Sequence, residues 1–385
     1  MTTQSALAPS SRLELTARHL PQQAALMAAG SSIAAAIVLR TGLGWTGWMT
    51  TAAAAVALHV ITLTTWSLAV EGRRHAADRA ATTAISACLV AAITPLVLIL
   101  GYIVVKGLPA LSWDFLTHSM NGVTGAQPGG GVYAALLGTV QQVGLATAIA
   151  VPIGILTAIY LVEFRTSRNG KSRFAKSVTF FVDVMNGVPS IVAGLFVFSL
   201  LLLGFGMRPF GAAGSIALTI LMLPIVIRSS EEMIRLVPTD LREASYALGI
   251  PKWRTVLKVV LPTAMSGLVT GVLLSIARIV GETAPLVLLV GYASQINGNP
   301  LEGDQAALPM MIWDQLGKRS GNAGAYAEPR AWGAALVLVL LVLALNIGAR
   351  LAARWLGSHK RSRGQRRGRR HTLRQSLTRF RRQPA

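Results

Sequence analysis

Apart from basic residues at their ends, the long apolar stretches between residues 82 and 353 hold three ionisable side chains inside or at the edge: Asp183, Arg278 and Glu282. A charge at bilayer depth costs at least about 2.5–3.5 kcal/mol on insertion scales, so such residues usually pair or line a polar pathway. Arg278 offers planar, charge-assisted donors that suit the oxygens of an anion. The carboxylates accept hydrogen bonds and balance charge. Arg278 and Glu282 are four residues apart, a spacing that sets them on one side of a helix. There they pair with each other, across to Asp183, or with a second subunit. A polar pathway and a structural salt bridge both fit this pattern. Asp183 also fits the plainer role of satisfying backbone groups at the start of a broken helix. Gly187 and Pro189 weaken the helix near Asp183, and Gly281 and Pro285 do so near Arg278. Irregular backbone at depth is tolerated where it lines a cavity or is buried in protein.

A second constellation is polar and lies between apolar spans. In Pro238-Thr239-Asp240-Leu241-Arg242-Glu243, Asp240 is placed to cap a helix start, with Glu243 three residues on completing a capping box. Leu241, Ala244, Ser245 and Leu248 share one face at helical spacing. Gly249 suits a left-handed C-terminal position, and Pro251 prevents continuation. Small residues at 244, 245 and 247 let the helix sit deep in a partner's cleft. By composition alone it equally fits a helix lying on the membrane or packed against its own chain.

The elements that must position these groups are membrane spans. A mean hydropathy of +0.54, with 52% hydrophobic and 13% charged residues, excludes an ordinary soluble domain. Stretches of the roughly 20 apolar residues needed to cross a bilayer recur. We read eight, at 24–39, 46–70, 82–105, 133–162, 178–203, 212–228, 260–292 and 331–353. The first resembles a signal-peptide core, but uncleaved spans follow closely and the leader is long. The single Cys88 lies in an apolar span and is read as a small hydrophobe. Basic residues crowd alternate loops: Arg73, Arg74 and Arg79; then Arg165, Arg168, Lys171, Arg173 and Lys176; then the stretch from Arg228 to Lys258. By the positive-inside rule these loops and both termini are cytoplasmic. The net charge of +21 comes largely from the end of the chain, where Arg354 to Ala385 holds twelve Lys or Arg and no acid. We read it as a tail on anionic lipid headgroups rather than on nucleic acid, with Leu373, Leu377 and Phe380 on one side of an interfacial helix.

The pattern Glu243-Ala244-Ser245, then Gly249, then Val259-Val260-Leu261-Pro262 resembles the EAA loop of ABC-importer membrane subunits, with Ser245 and Val259 as mild departures. The resemblance implies that Glu243, Ala244, Ser245 and Gly249 dock on a separate ATPase. No Walker-type Lys-Ser/Thr loop occurs in the chain, so ATP and Mg belong to that partner, and this chain carries no cofactor and no enzymatic activity. Arg278-Ile279-Val280-Gly281-Glu282-Thr283-Ala284-Pro285-Leu286 resembles the R-x-x-GETAPL string of PstA-type subunits of bacterial phosphate importers. Asp183 to Gly194, with Gly187 and Pro189-Ser190-Ile191, and Ala307-Leu308-Pro309-Met310-Met311-Ile312 resemble further strings of that family. The Ala284-Pro285 pair favours the PstA type over its PstC-type partner.

This resemblance covers about residues 82–353. It implies an all-α polytopic bundle of the type I ABC-importer class, with six core spans and an added N-terminal two-span hairpin. The expected organisation is a leader and accessory hairpin over 1–81, a transmembrane domain over 82–355 with its coupling loop at 239–262, and a basic tail over 356–385. The implied partners are a PstC-type permease, two PstB-type ATPases and a PstS-type phosphate-binding protein. A phosphate ion retains a hydroxyl that a carboxylate accepts, a contact that fully ionised sulfate cannot make. The rival readings are a permease for sulfate or molybdate, an ATPase-independent secondary transporter using Asp183, Arg278 and Glu282 as a relay, and a membrane-tethered nucleic-acid binder.

Overall fold

The computed structural model describes residues 20–351 apart from 22, 45, 165, 168–169, 172, 319 and 321–323. The leader and the basic tail, with the lipid contact and interfacial helix expected there, lie outside the described residues. Seven described helices are long and apolar enough to cross a membrane, and a bent pair supplies an eighth span. The only strands among the described residues are a two-rung hairpin, Thr166–Ser167 with Gly170–Lys171. The chain is a helical polytopic bundle.

Two compact units divide between Gly101 and Tyr102. In the first, α1 (Ala24–Leu43) and α2 (Trp48–Val70) form a hairpin, with Ala24, Ala28, Ser32 and Ala36 of α1 buried at four-residue intervals. Gly44 ends α1 at φ +67°, and its N–H donates to Arg40 O. The Arg40 guanidinium lies 3.6 Å above the Trp48 ring. At the other end of α2, the Glu71 carboxylate accepts from Leu20 N–H at 2.8 Å, Ser67 hydroxyl at 2.7 Å and Arg79 at 2.8 Å. Arg79 lies on α3 (Arg73–Gly107), so one carboxylate ties Leu20 ahead of α1, the end of α2 and the start of α3.

The second unit is built around α8 (Gly211–Arg235), of whose most apolar window 61% is buried. Its main neighbour is α5 (Tyr133–Ile159), which buries Ala134, Gly138, Gln142, Ala146, Ala150 and Gly154, then Ala158, at every fourth residue. Lipid chains are as apolar as leucine, so helices in a bilayer associate through close packing of small residues rather than hydrophobic force. A Cβ on Gly154 would sit 2.7 Å from Val226 of α8. After Ile159 the chain continues as a π-helical turn, Tyr160–Phe164.

α6 (Arg173–Asn186) and α7 (Ser190–Val197, extended as a π-helical turn to Gly204) form the bent span, turning by 107° at Gly187–Pro189. Proline holds the preceding residue out of the helical region and removes a donor. The polar connection after α8 holds α9 (Thr239–Ala247) and α10 (Lys252–Thr255) and leads through a π-helical turn into α11 (Leu261–Val280). The expected continuous span 260–292 is in fact broken: α11 stops at Val280 and α12 (Ala284–Leu289) restarts beyond Gly281. The broken elements support each other, since a Cβ on Gly194 of α7 would sit 2.8 Å from Pro285 Cα of α12. α8 runs to Arg235 rather than ending near 228, because its last two turns carry charges that pair along the helix. The last span, α14 (Gly324–Leu351), begins before its expected start.

The two long connections, after α3 and before α14, carry short helices of their own. α4 (Trp113–Thr117) is capped by Ser112, whose hydroxyl accepts Phe115 N–H, and it buries Phe115. α13 (Leu308–Gly317) buries Met310 and Met311 and is pinned where Leu308 N–H donates to Thr139 Oγ1 of α5 at 2.8 Å.

α11 crosses α8 where Gly271 meets Ser229, with only 2.7 Å from an added Cβ to the hydroxyl oxygen. Gly271→Leu is expected to cost about 1–3 kcal/mol by overpacking, read as a lower melting temperature in detergent. Gly144→Ala, in open space on α5, serves as the unaffected control. Glu71 is held down at about 2 from an ordinary 4.5, first by the Leu20 N–H and then by Ser67 and Arg79. Its folded-state value is depressed, so its stabilisation is complete above about 4.5 and lost as pH falls toward 2. Proteolytic protection of the α1–α2 hairpin should fall across that window, and Glu71→Gln should remove that pH dependence.

Candidate functional site

Two groups of residues are set up by this frame: the α9–α10 segment at one end of α8, and the charged residues beside the two helix breaks. α9 starts at Thr239 behind Pro238, and no side chain caps it. The expected capping box through Asp240 is therefore absent. Asp240 falls inside the first turn, where it complements the helix dipole instead. The C-terminal expectation holds. Gly249 adopts φ +71°, its N–H donates to Tyr246 O at 2.9 Å and Ile250 N–H donates to Ser245 O at 3.2 Å, a Schellman closure.

Leu241, Ala244 and Leu248 face outward, with Leu248 79% exposed, and Glu243 is exposed beside them. Ser245 departs from the single-face expectation. It is 5% exposed and its hydroxyl lies 2.8 Å from that of Thr255 on α10. The four positions spread over about 100° of helix arc, so the flanking residue is free to turn toward whatever packs there. Ser245 fastens α9 to α10, and the outward surface is carried by its neighbours.

The three membrane charges are not gathered into one cluster. Asp183 lies in the last turn of α6, just before the bend, and pairs with Arg228 of α8 rather than with Arg278. Arg228 also reaches Glu231 at 2.8 Å, and Glu231 bonds Arg235 in turn. Arg278 and Glu282 do not share a helix: α11 ends between them, with Glu282 N–H bonded to Ile279 O at 3.1 Å. No ion pair joins Arg278 to Glu282 or to Asp183 among the described residues. Gly267 faces Met233 and Gly271 faces Ser229, so α8 and α11 run antiparallel. Extending that register at about 1.5 Å per residue sets Arg278 level with Met222, near the middle of α8 and about 9 Å along it from Arg228. Arg278 is exposed there, and Glu282 is half-buried beside the second break.

Charged residues that the hydropathy reading passed over carry much of the geometry. Glu231 is 2% exposed, and its pairing was legible as Arg228, Glu231 and Arg235 at helical spacing. Glu163, in the π-helical turn after α5, is buried and accepts from Arg242 of α9 at 3.0 Å. Nothing local signals that pair, which spans 79 residues of sequence. Away from α9, Gln142 of α5 donates to Gln305 at 3.0 Å and Arg330 of α14 reaches Gln315 and the carbonyls of Thr124 and Gln127, closing the connections over the bundle.

The sequence profile of the binding-protein-dependent transport system inner membrane component family matches residues 150–362. The chain is 48% identical over 278 residues to phosphate transport system permease protein PstA 1 of Mycobacterium tuberculosis, covering 72% of this chain and 88% of that protein. It is 41% identical over 257 residues to the PstA protein of Yersinia pestis, covering 66% of this chain and 83% of that one. Among solved structures, an inward-facing MetNI methionine ABC transporter is similar at a TM-score of 0.44 and 22% identity, over 58% of this chain and 93% of that chain. The profile spans both helix breaks, Arg278 and the α9 segment, and near-half identity runs over most of a PstA protein: the chain belongs to the inner-membrane components of binding-protein-dependent transport systems, as a PstA-type permease.

Proposed function

We propose that this chain is the permease subunit of an ATP-driven phosphate importer, forming the membrane pathway and coupling it to a separate ATPase. The observation that carries this reading is 48% identity over 88% of a phosphate transport system permease. The substrate of that relative is taken as the substrate here. Six core spans of a type I importer and an added N-terminal hairpin make up the transmembrane part. A PstC-type permease completes the pathway, two PstB-type ATPases hydrolyse ATP, and a PstS-type protein delivers phosphate. The α9 end and both termini face the cytoplasm of a bacterial inner membrane. The expected segments 1–81, 82–355 and 356–385 keep their roles as accessory hairpin, transporter domain and basic tail, with the tail on anionic lipid.

Glu243, Ala244 and Gly249 supply the docking helix, supported by the exposed Leu241–Leu248 face and the Schellman closure at Gly249. Ser245 contributes from inside by holding α9 on α10. Arg278 is the principal contact for the anion along the pathway. An exposed guanidinium at mid-helix depth without an ion-pair partner among the described residues supports this role. Glu282, at the neighbouring break, accepts the phosphate hydroxyl. Asp183 acts at the α9 side, where its pairing with Arg228 gives the pathway a second, exchangeable set of charges. ATP-driven closure of the ATPases pushes α9, tilts the spans and moves the pathway between outward and inward access.

Labelled phosphate uptake in vesicles holding the assembled transporter tests the reading. Arg278→Gln is expected to lower uptake by about tenfold or more, the loss for removing a charged partner worth at least about 1.4 kcal/mol, while all subunits still co-purify. Excess sulfate should leave wild-type uptake unchanged. Competition by sulfate would keep the importer and discard the substrate, and full uptake by the variant would remove Arg278 from the pathway. Reversing charge on the docking helix, Glu243→Arg, should release the ATPase on size-exclusion chromatography; retained ATPase would overturn that assignment.

A further inference from the structure

Arg242 is the one residue of α9 whose side chain reaches back into the bundle at three points. Its Nε donates to the Glu163 carboxylate at 3.0 Å, its Nη1 to Val237 O at 2.6 Å and its Nη2 to Ile234 O at 2.9 Å. Ile234 lies in the last turn of α8 and Val237 just beyond its end, and Ile234 O also accepts Val237 N–H at 3.3 Å. Glu163 closes the π-helical turn after α5, with its side chain only 5% exposed. A single guanidinium therefore joins α9 to the ends of the two most closely packed helices of the unit. Lys252 of α10 adds a parallel contact, its ammonium 5.2 Å from the Phe164 ring centre.

We propose that Arg242 and Glu163 form the strut through which force on α9 reaches α5 and α8, making both positioning residues for coupling. This rests on the docking reading above and adds a residue pair that the docking surface does not include. α9 is connected covalently to α8 through Leu236–Pro238 and to α11 through α10, but it has no chain connection to α5 nearby. A displacement of α9 without the strut swings on those short links. With the strut it must carry the end of α5 along, because a buried carboxylate separated from its guanidinium is left without compensation. The planar fork of arginine holds a carboxylate and two carbonyls at fixed angles, which a lysine ammonium does not reproduce.

The test uses the complete transporter, with both permeases, the ATPases and the phosphate-binding protein, reconstituted in lipid vesicles. Phosphate transported per ATP hydrolysed is measured alongside ATPase co-purification. Arg242→Ala is expected to keep the ATPase bound and hydrolysing but to lower transport per ATP at least about tenfold, the effect of removing one partner of a buried pair. Arg242→Lys should recover part of that ratio. Glu163→Gln, nearly isosteric and outside the docking helix, should lower it in the same direction. The double variant Glu163→Gln with Arg242→Ala should fall no further than Arg242→Ala alone, since the two act as one unit. An unchanged ratio in Arg242→Ala and Glu163→Gln, or losses that simply multiply in the double variant, would overturn the strut. Failure of the ATPase to co-purify with wild type would instead overturn the docking reading.

Discussion

Steric fit between small residues holds α8 in place, because lipid supplies no hydrophobic force to press one helix against another. The buried four-residue stripe from Ala134 to Ala158 on α5 lets the α8 backbone approach closely. Gly267 and Gly271 do the same for α11, and Gly194 lets α7 close on Pro285. With these contacts set, the positions of the charges on α8 and α11 follow. Arg228 and Glu231 are fixed by where α8 lies, Arg278 by the crossing with α11, and both helix breaks by the packing of α7 against α12.

The charges then divide by whether the protein answers them. Arg228 is satisfied by Asp183 and Glu231. Glu163 is satisfied by Arg242. Arg278 is exposed near mid-helix depth, about 9 Å along the bundle from Arg228, with no ion pair among the described residues. Paired charges tie together the end of α8 that leads into α9. An exposed charge beside a broken helix is suited to a partner that comes and goes. Both are arginines in largely apolar surroundings, and only their neighbours differ.

The α9–α10 segment is small but firmly joined. Hydroxyls of Ser245 and Thr255 close the inner face, Gly249 closes the C-terminus of α9, and Arg242 fastens the outer turn to two long helices. The polar bonds here are short-range and partly buried, where they are stronger than the same bonds in water.

The reach of α8 to Arg235 and the early start of α14 were not legible in the chain, but the spans, the polar segment at 239–250 and the weak points at Gly187–Pro189 and Gly281–Pro285 were. Those features follow from local chemistry: the length of an apolar run, the missing N–H of proline, the freedom of glycine. The GETAPL and EAA strings also carried the family, since likeness in sequence needs no coordinates. Which charges meet was settled by packing alone. Arg278 and Glu282 look like helix neighbours at a spacing of four, yet the helix stops between them. Asp183 takes Arg228, Glu163 takes Arg242, and Ser245 turns inward rather than toward a partner. Each of these pairings depends on how two helices cross. A crossing is set by the summed shape of many small residues, which no single position in the chain reports.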